Sequence, residues 1–178
     1  MKKWQTLSRE TVFTNPWYSF RHDRYVLPDG TPGDYHYIHT HGAVMIVPVH
    51  ENGTLALVKQ YRYLLGRESI EFPAGGVPAG ESPEDHARQE LAEESGLSAA
   101  EWKRLGSFAS WNGATNEECT VFEARGFTPV DAEQDASEEI ERLTVSPAAF
   151  EEWIRSGRID DGMTLAAFLI WRSATGRR

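Results

Sequence analysis

Runs of aliphatic, aromatic and β-branched residues separated by turn signals fill the first 80 residues, and apolar positions at helical spacing stand out after Ser82. Residues 11–13 and 20–27 have strand content, and Leu27-Pro28-Asp29-Gly30 closes the second run with a turn. Residues 43–48 and 55–61 are two further β runs, with a hairpin signal between them in Glu51-Asn52-Gly53. The helix that follows is well marked. Ser82 suits the N-cap and Pro83 the first helical position, Asp85 brings negative charge to the free N–H groups, and Gly96 suits a left-handed residue just past the end. These signals predict a helix over 83–95, with Ala87 and Leu91 on its core-facing side. Residues 102–109, 118–125 and 143–145 then read as strands. Residues 147–155 read as a helix that starts on Ser146-Pro147 and ends near Gly157, and 163–171 as the last helix. Leu165, Phe168, Leu169 and Ile170 are expected to supply its apolar contacts.

Residues 1–38 form a small β subdomain with little core of its own, expected to pack on the main domain, residues 39–178, or on a second subunit. With 178 residues, 40% of them hydrophobic and including eight Phe and six Trp, the chain can bury one sizeable core. A net charge of −9 disfavours holding nucleic acid through its backbone, yet leaves a small phosphorylated substrate compatible where local cations offset the field. No apolar run approaches the roughly twenty residues of a membrane span and no signal-like start is visible, so a soluble protein is expected. A single Cys119 cannot form an internal disulfide, which suits a reducing cytoplasm. Thr120-Val121-Phe122 after it reads as a buried strand, so Cys119 is expected to be a packed thiol and not a nucleophile.

The candidate chemistry sits on the marked helix. Glu90, Glu93 and Glu94 fall at spacings of three and four, so their side chains stand together and repel one another. Such a cluster needs open water or a cation. A solvated acidic face is one reading. The other is a site for a hard divalent cation, because Mg²⁺ takes oxygen ligands and is usually held by a few carboxylates together with substrate phosphate. Gly75 and Gly76 ahead of the helix favour the second, since a glycine backbone can come close and the main-chain carbonyl of Ala74 could complete the ligand set.

The stretch from Gly75 to Leu97 resembles the Nudix box, the signature of the Nudix hydrolases. Its pattern is Gly, five residues, Glu, seven residues, Arg-Glu, an aliphatic residue, any residue, Glu-Glu, any residue, Gly and an aliphatic residue. Gly75, Glu81, Glu90, Leu91, Glu93, Glu94, Gly96 and Leu97 all fall in register. The arginine slot holds Gln89. Arg88 stands one place earlier, about 100° round the helix. In the resembling family that arginine pairs with box glutamates; Gln89 can hydrogen-bond but brings no charge.

The resemblance implies an α/β protein of the Nudix fold, a mixed β-sheet sandwiched between α-helices, here with the small N-terminal β subdomain. Looser similarity over most of the chain is to the ADP-ribose and nucleoside diphosphate sugar pyrophosphatases. It implies Mg²⁺, for which Mn²⁺ can substitute, held by Glu90 and Glu94 and the Ala74 carbonyl, with Glu93 sharing, orienting or taking a catalytic proton. Glu138 and Glu139, in the acidic run 131–141, match a loop that brings a catalytic glutamate to the metals; read alone, the run is a solvated loop. Trp17 occupies the place of a ring that stacks on the base, with ordinary packing as the alternative. Arg62 is the candidate for clamping the pyrophosphate, or else a surface ion pair. Glu71 could accept from ribose or bind metal, or belong to a structural ion pair. The loop 111–117 is expected to rim the pocket. His36, His39 and His41 invite a zinc reading, since alternate residues of a strand such as 39 and 41 share a face, but without an accompanying cysteine they read as polar strand surface near a subunit contact before zinc.

The function implied is Mg²⁺-dependent cleavage of the pyrophosphate bond of a nucleoside diphosphate sugar, ADP-ribose first, by a cytoplasmic homodimer without nucleic-acid or membrane partners. Gln89 leaves open a slow enzyme or a nucleotide-binding regulator. Nucleoside triphosphates, dinucleotides and capped ends are the runner-up substrates. A reading from another class is an interaction module whose acidic helix and loop meet a basic partner.

Overall fold

The computed structural model describes residues 2–132 and 139–176. β1 (Gln5–Thr14), β2 (Ser19–Val26) and β3 (Pro32–His39) form an antiparallel sheet in that order. Every residue of β1 is exposed, so its sequence carries no inside–outside alternation, and its strand conformation comes from pairing with β2, from Gln5↔Val26 to Thr14↔Ser19. Across that pair Asp23 is buried, and the Arg9 guanidinium grips it at 2.9 and 2.7 Å. That hydrogen-bonded cation holds the Asp23 carboxyl below its ordinary range.

β4 (Ala43–Pro48), β5 (Leu55–Arg62), β6 (Arg67–Glu71) and β7 (Ala74–Gly76) precede helix α1 (Pro83–Ser95). β8 (Leu97–Ala109), β9 (Glu118–Pro129), β10 (Ile140–Val145), α2 (Pro147–Arg155) and α3 (Gly162–Thr175) follow it. Four strands make a mixed sheet in the order β7-β4-β9-β8, in which β4 and β9 run parallel. The other three form an antiparallel sheet, β10-β5-β6.

Period-two alternation sorts the mixed sheet's faces. Val44 and Ile46 of β4, with Phe122 and Ala124 of β9, pack against Ala87 and Leu91 of α1. Met45, Val47, Cys119 and Val121 point the other way, onto Phe150 of α2, Phe168 and Trp171 of α3, and Leu55, Leu57 and Phe72. The mixed sheet therefore lies between helices. Phe72, Phe150 and Phe168 stack in sequence, with ring centroids 5.2 and 4.2 Å apart. Cys119 is fully buried, and burial pushes its thiol up to about 12.

Two expectations are corrected. Leu169 is 66% exposed, because Phe168 and Trp171 take the inward side of α3 and Leu169 lies about 100° from Phe168. β8 and β9 outrun the predicted strands. β8 begins directly after Gly96 and pairs with β9 from Leu97↔Pro129 to Ala109↔Glu118, so ladder pairing extends both beyond their strongly apolar parts. Among the described residues no helix is long and apolar enough to cross a membrane.

Candidate active site

α1 begins and ends where its caps require. Ser82 Oγ accepts the Asp85 N–H at 3.1 Å, and Gly96 takes the left-handed conformation at φ 65°. With Ala87 and Leu91 on the mixed sheet, the three glutamates separate by exposure. Glu94 is 3% exposed, Glu90 is half-buried and Glu93 is exposed. Gln89 is exposed too. Arg88 serves the far side of the helix, pairing with Glu84 at 2.6 Å while its guanidinium lies 4.8 Å over the Trp102 ring.

Both inward glutamates reach the same piece of backbone. The Pro73 carbonyl accepts from Ile46 N–H and the Val77 N–H donates to the Gly42 carbonyl, so alternate residues of this segment bond toward β4. Ala74 falls between them, which turns its N–H and C=O away from β4 and to one common side. The Ala74 N–H donates to Glu94 Oε2 at 3.0 Å. At the next residue a Cβ added to Gly75 would sit 1.9 Å from Glu90 Oε1, so the absence of a side chain there is what admits the Glu90 carboxylate. His86, buried one turn earlier, lies with Nε2 2.9 Å from Glu90 Oε1 and Nδ1 3.4 Å from Glu81 Oε2, out of line for hydrogen bonds.

The β10-β5-β6 sheet supplies the opposite wall. Leu55 and Leu57 face the core, so Val58 and Gln60 face the other way, and cross-strand partners share that side in two rows, Arg142–Val58–Glu71 and Ile140–Gln60–Ser69. Gln60, Ser69 and Glu71 are all buried there. Arg62 Nε donates to Glu71 Oε1 at 2.9 Å, and Arg62 Nη2 pairs with the other carboxylate oxygen. The Glu71 hydrogen bond raises the Arg62 guanidinium above its ordinary value, and the charges of Glu94 and Asp161 add to it. Arg62, Glu71 and Glu94 are thus one electrostatic group, with Ala74, Gly75 and Glu90 beside it.

The other candidates lie elsewhere. Trp17 is 79% exposed in the turn after β1, where Asn15 Oδ1 accepts the N–H groups of Trp17 and Tyr18. It lines a cavity of about 290 Å³ with Arg21, His39 and His41 and no residue of α1. The 111–117 loop latches onto β3, with Ile38 N–H donating to the Ala114 carbonyl at 2.8 Å, and borders a cavity of about 430 Å³ beside Trp4, Arg9 and Tyr37. Glu139 is exposed just ahead of β10, and Glu138 lies outside the described residues. Among the described residues no three His, Cys, Asp or Glu side chains converge as a ready metal cluster. What fits a hard cation is the donor chemistry: two carboxylates and a strand carbonyl, all oxygen, around a cradle that a Cβ would fill. Gln60, Ser69 and Arg142 carry no signal in the local pattern and emerge only from packing, whereas His86 stands four residues before Glu90 on α1, a spacing that points to it.

Residues 39–165 match the model of the NUDIX domain, and residues 4–38 that of the nucleoside diphosphate sugar hydrolase N-terminal domain. The chain belongs to the NUDIX family. An ADP-ribose pyrophosphatase of Mycobacterium tuberculosis is 35% identical over 136 residues, 76% of this chain and 66% of that protein. Over 92% of this chain and 89% of each relative, a methanol dehydrogenase activator of Bacillus methanolicus is 28% identical and an ADP-ribose pyrophosphatase of Bacillus subtilis 27%. A crystal structure of an ADP compounds hydrolase superposes over all of this chain and 98% of its own at TM-score 0.86, with 22% identity, which shows a shared fold. NUDIX hydrolases generally need a divalent metal, and in this member the box supplies Glu90 and Glu94 to the Ala74–Gly75 strand.

Proposed function

We propose that the protein hydrolyses the pyrophosphate bond of a nucleoside diphosphate sugar, ADP-ribose first, releasing a nucleoside monophosphate and a sugar phosphate with Mg²⁺ as the working metal. The observation that carries this reading is the meeting of Glu90 and Glu94 on Ala74–Gly75 beside the Arg62–Glu71 pair. The relatives named ADP-ribose pyrophosphatase support the substrate class.

Glu90, Glu94 and the Ala74 carbonyl would hold the metal, with Glu93 at the exposed margin. When bound, the metal supplies neutralising charge for the bridging phosphates and a more acidic water. The chain's own residues do the rest. Arg62, prealigned by Glu71, presents a planar cation to the phosphates, and Glu71 keeps that fork from folding onto Glu94. The proton of the attacking water passes to a carboxylate, Glu93 or one from the acidic run, Glu138 or Glu139. Trp17 provides an exposed ring for the base.

Purified protein with Mg²⁺ is expected to turn ADP-ribose into AMP and ribose phosphate faster than it hydrolyses nucleoside triphosphates, and EDTA is expected to abolish product. Chromatographic quantification of both products over a substrate panel checks this. Binding without monophosphate release would make the protein a regulator and sink the enzymatic reading.

The same reading divides the chain at residue 38 and assigns the N-terminal sheet to dimerisation. Its outer strand exposes Leu7, Val12 and Phe13, each by more than half, to a second copy. Light scattering is expected to return twice the 20.1 kDa chain mass, and a monomer at micromolar concentration contradicts it.

A further inference from the structure

α1 gathers negative charge at its C-terminal end. Glu90, Glu93 and Glu94 lie in its last two turns, its own last turn holds no basic residue, and Gln89 among them is neutral. The carbonyls of the last turn, directed out of the helix end, add the negative end of the helix dipole. The cation that meets this end comes from 46 residues beyond Gly96. Arg142 of β10 donates from Nε to the main-chain carbonyl of Glu94 at 3.0 Å. Its guanidinium occupies the space that a side chain at position 96 would take, since a Cβ on Gly96 would sit 2.7 Å from Nη1 and 3.0 Å from Cζ. That hydrogen bond directs the Arg142 charge at the helix end.

The position of Arg142 in the sheet gives this bond a second consequence. Arg142 stands in one cross-strand row with Val58 and Glu71, and Glu71 holds Arg62. The Arg142–Glu94 bond therefore ties the helix that bears the carboxylates to the sheet that bears the arginine. Their relative placement governs whether a cation and a phosphate can be held at once.

Resting on the metal-dependent reading above, we infer that Arg142 is the positioning residue of this site, fixing the turn that carries Glu93 and Glu94 against the β10-β5-β6 sheet and supplying from outside the helix the positive charge that position 89 lacks. Arg142 touches no reacting atom. It acts through Glu94.

Arg142→Gln, Arg142→Lys, Gln89→Arg and the double variant Arg142→Gln/Gln89→Arg test this, with Mn²⁺ affinity read by electron paramagnetic resonance, kcat and KM for ADP-ribose, and the melting temperature. Arg142→Gln is expected to weaken Mn²⁺ about tenfold and lower kcat by a similar factor, with KM little changed. Arg142→Lys keeps the charge and loses the planar fork, so it is expected to fall between. Adding Gln89→Arg is expected to recover Mn²⁺ affinity in the Arg142→Gln background and to leave it nearly unaltered in the wild type. A lower melting temperature with unchanged Mn²⁺ affinity and kcat overturns the inference, as does equal benefit from Gln89→Arg in both backgrounds. Should Arg142→Gln not fold, Arg142→Lys carries the test, and wild-type Mn²⁺ affinity in that variant overturns it. The Mn²⁺ titration needs no substrate, so a protein that cleaves no nucleotide sugar leaves this result readable and fails only the function proposed above.

Discussion

Replacing Gly75 by alanine is expected to cost about a hundredfold or more in turnover while leaving the melting temperature nearly unchanged. Gly75 has no left-handed backbone angle, so alanine can adopt its conformation. The obstacle is the Glu90 carboxylate, whose Oε1 and Cδ would lie 1.9 and 2.2 Å from the new methyl group. No real contact is that short, and the softest thing present is the end of the Glu90 side chain, which will swing away at small energetic cost. Stability is therefore expected to shift by about 1 kcal/mol or less. Metal affinity should collapse, because a displaced carboxylate no longer shares the site with Glu94. Gly76→Ala is the matched control, since a Cβ there meets nothing within 4 Å. Mn²⁺ titration and turnover of both variants decide the matter. Full activity in Gly75→Ala would remove Glu90 from the metal site.

Local signals carried the chain a long way. The ends of α1 were legible because Ser82, Pro83 and Gly96 each suit only a few backbone states, and the helix runs from Pro83 to Ser95. The apolar strands β4, β5 and β9 were legible for the same kind of reason, since each must be buried somewhere. β1 was visible only over residues 11–13, because a wholly exposed strand such as Gln5–Thr14 needs no alternation and is held by its neighbour's ladder. The parallel β4–β9 pairing joins segments some 75 residues apart, and nothing in either segment names the other.

The site divides along the same line. Spacing on one helix gave Glu90, Glu93 and Glu94, but not that Glu94 would be buried on the Ala74 N–H and Glu93 left in solvent. Arg62 and Glu71 were each visible as candidates, yet their mutual pairing depends on the β5–β6 register, in which Glu71 stands opposite Val58 and Arg62 must reach back along the strand. His86 and Arg142 fall at positions where the box specifies nothing or beyond its end. His86 lies four residues before Glu90 on the same helix, a local i,i+4 relation, whereas only the folded chain places Arg142 on the Glu94 carbonyl.

Glu94→Gln is expected to separate chemistry from folding. The wild-type side chain is 3% exposed, which is expensive for a carboxylate unless its oxygens are engaged. One engagement is the Ala74 N–H on Oε2, and the Arg62 charge lies close by. Glutamine has nearly the same shape and keeps a carbonyl oxygen that can accept the Ala74 N–H. Its lost charge also relieves repulsion from Glu90 and Glu93. The melting temperature should therefore stay near the wild-type value, within about 1 kcal/mol of stability. The amide oxygen is a far poorer ligand for a divalent cation, so turnover with Mg²⁺ is expected to fall by about two orders of magnitude or more. Glu94→Ala behaves differently, because it strips the acceptor from the Ala74 N–H as well, and should lose about 1–3 kcal/mol beyond the loss of activity. Comparing the two variants by calorimetry and product release thus resolves which part of Glu94 supports the strand and which supports the reaction. If Glu94→Gln turned over ADP-ribose at the wild-type rate, the carboxylate would be a structural acceptor alone, and the metal would have to be held without it.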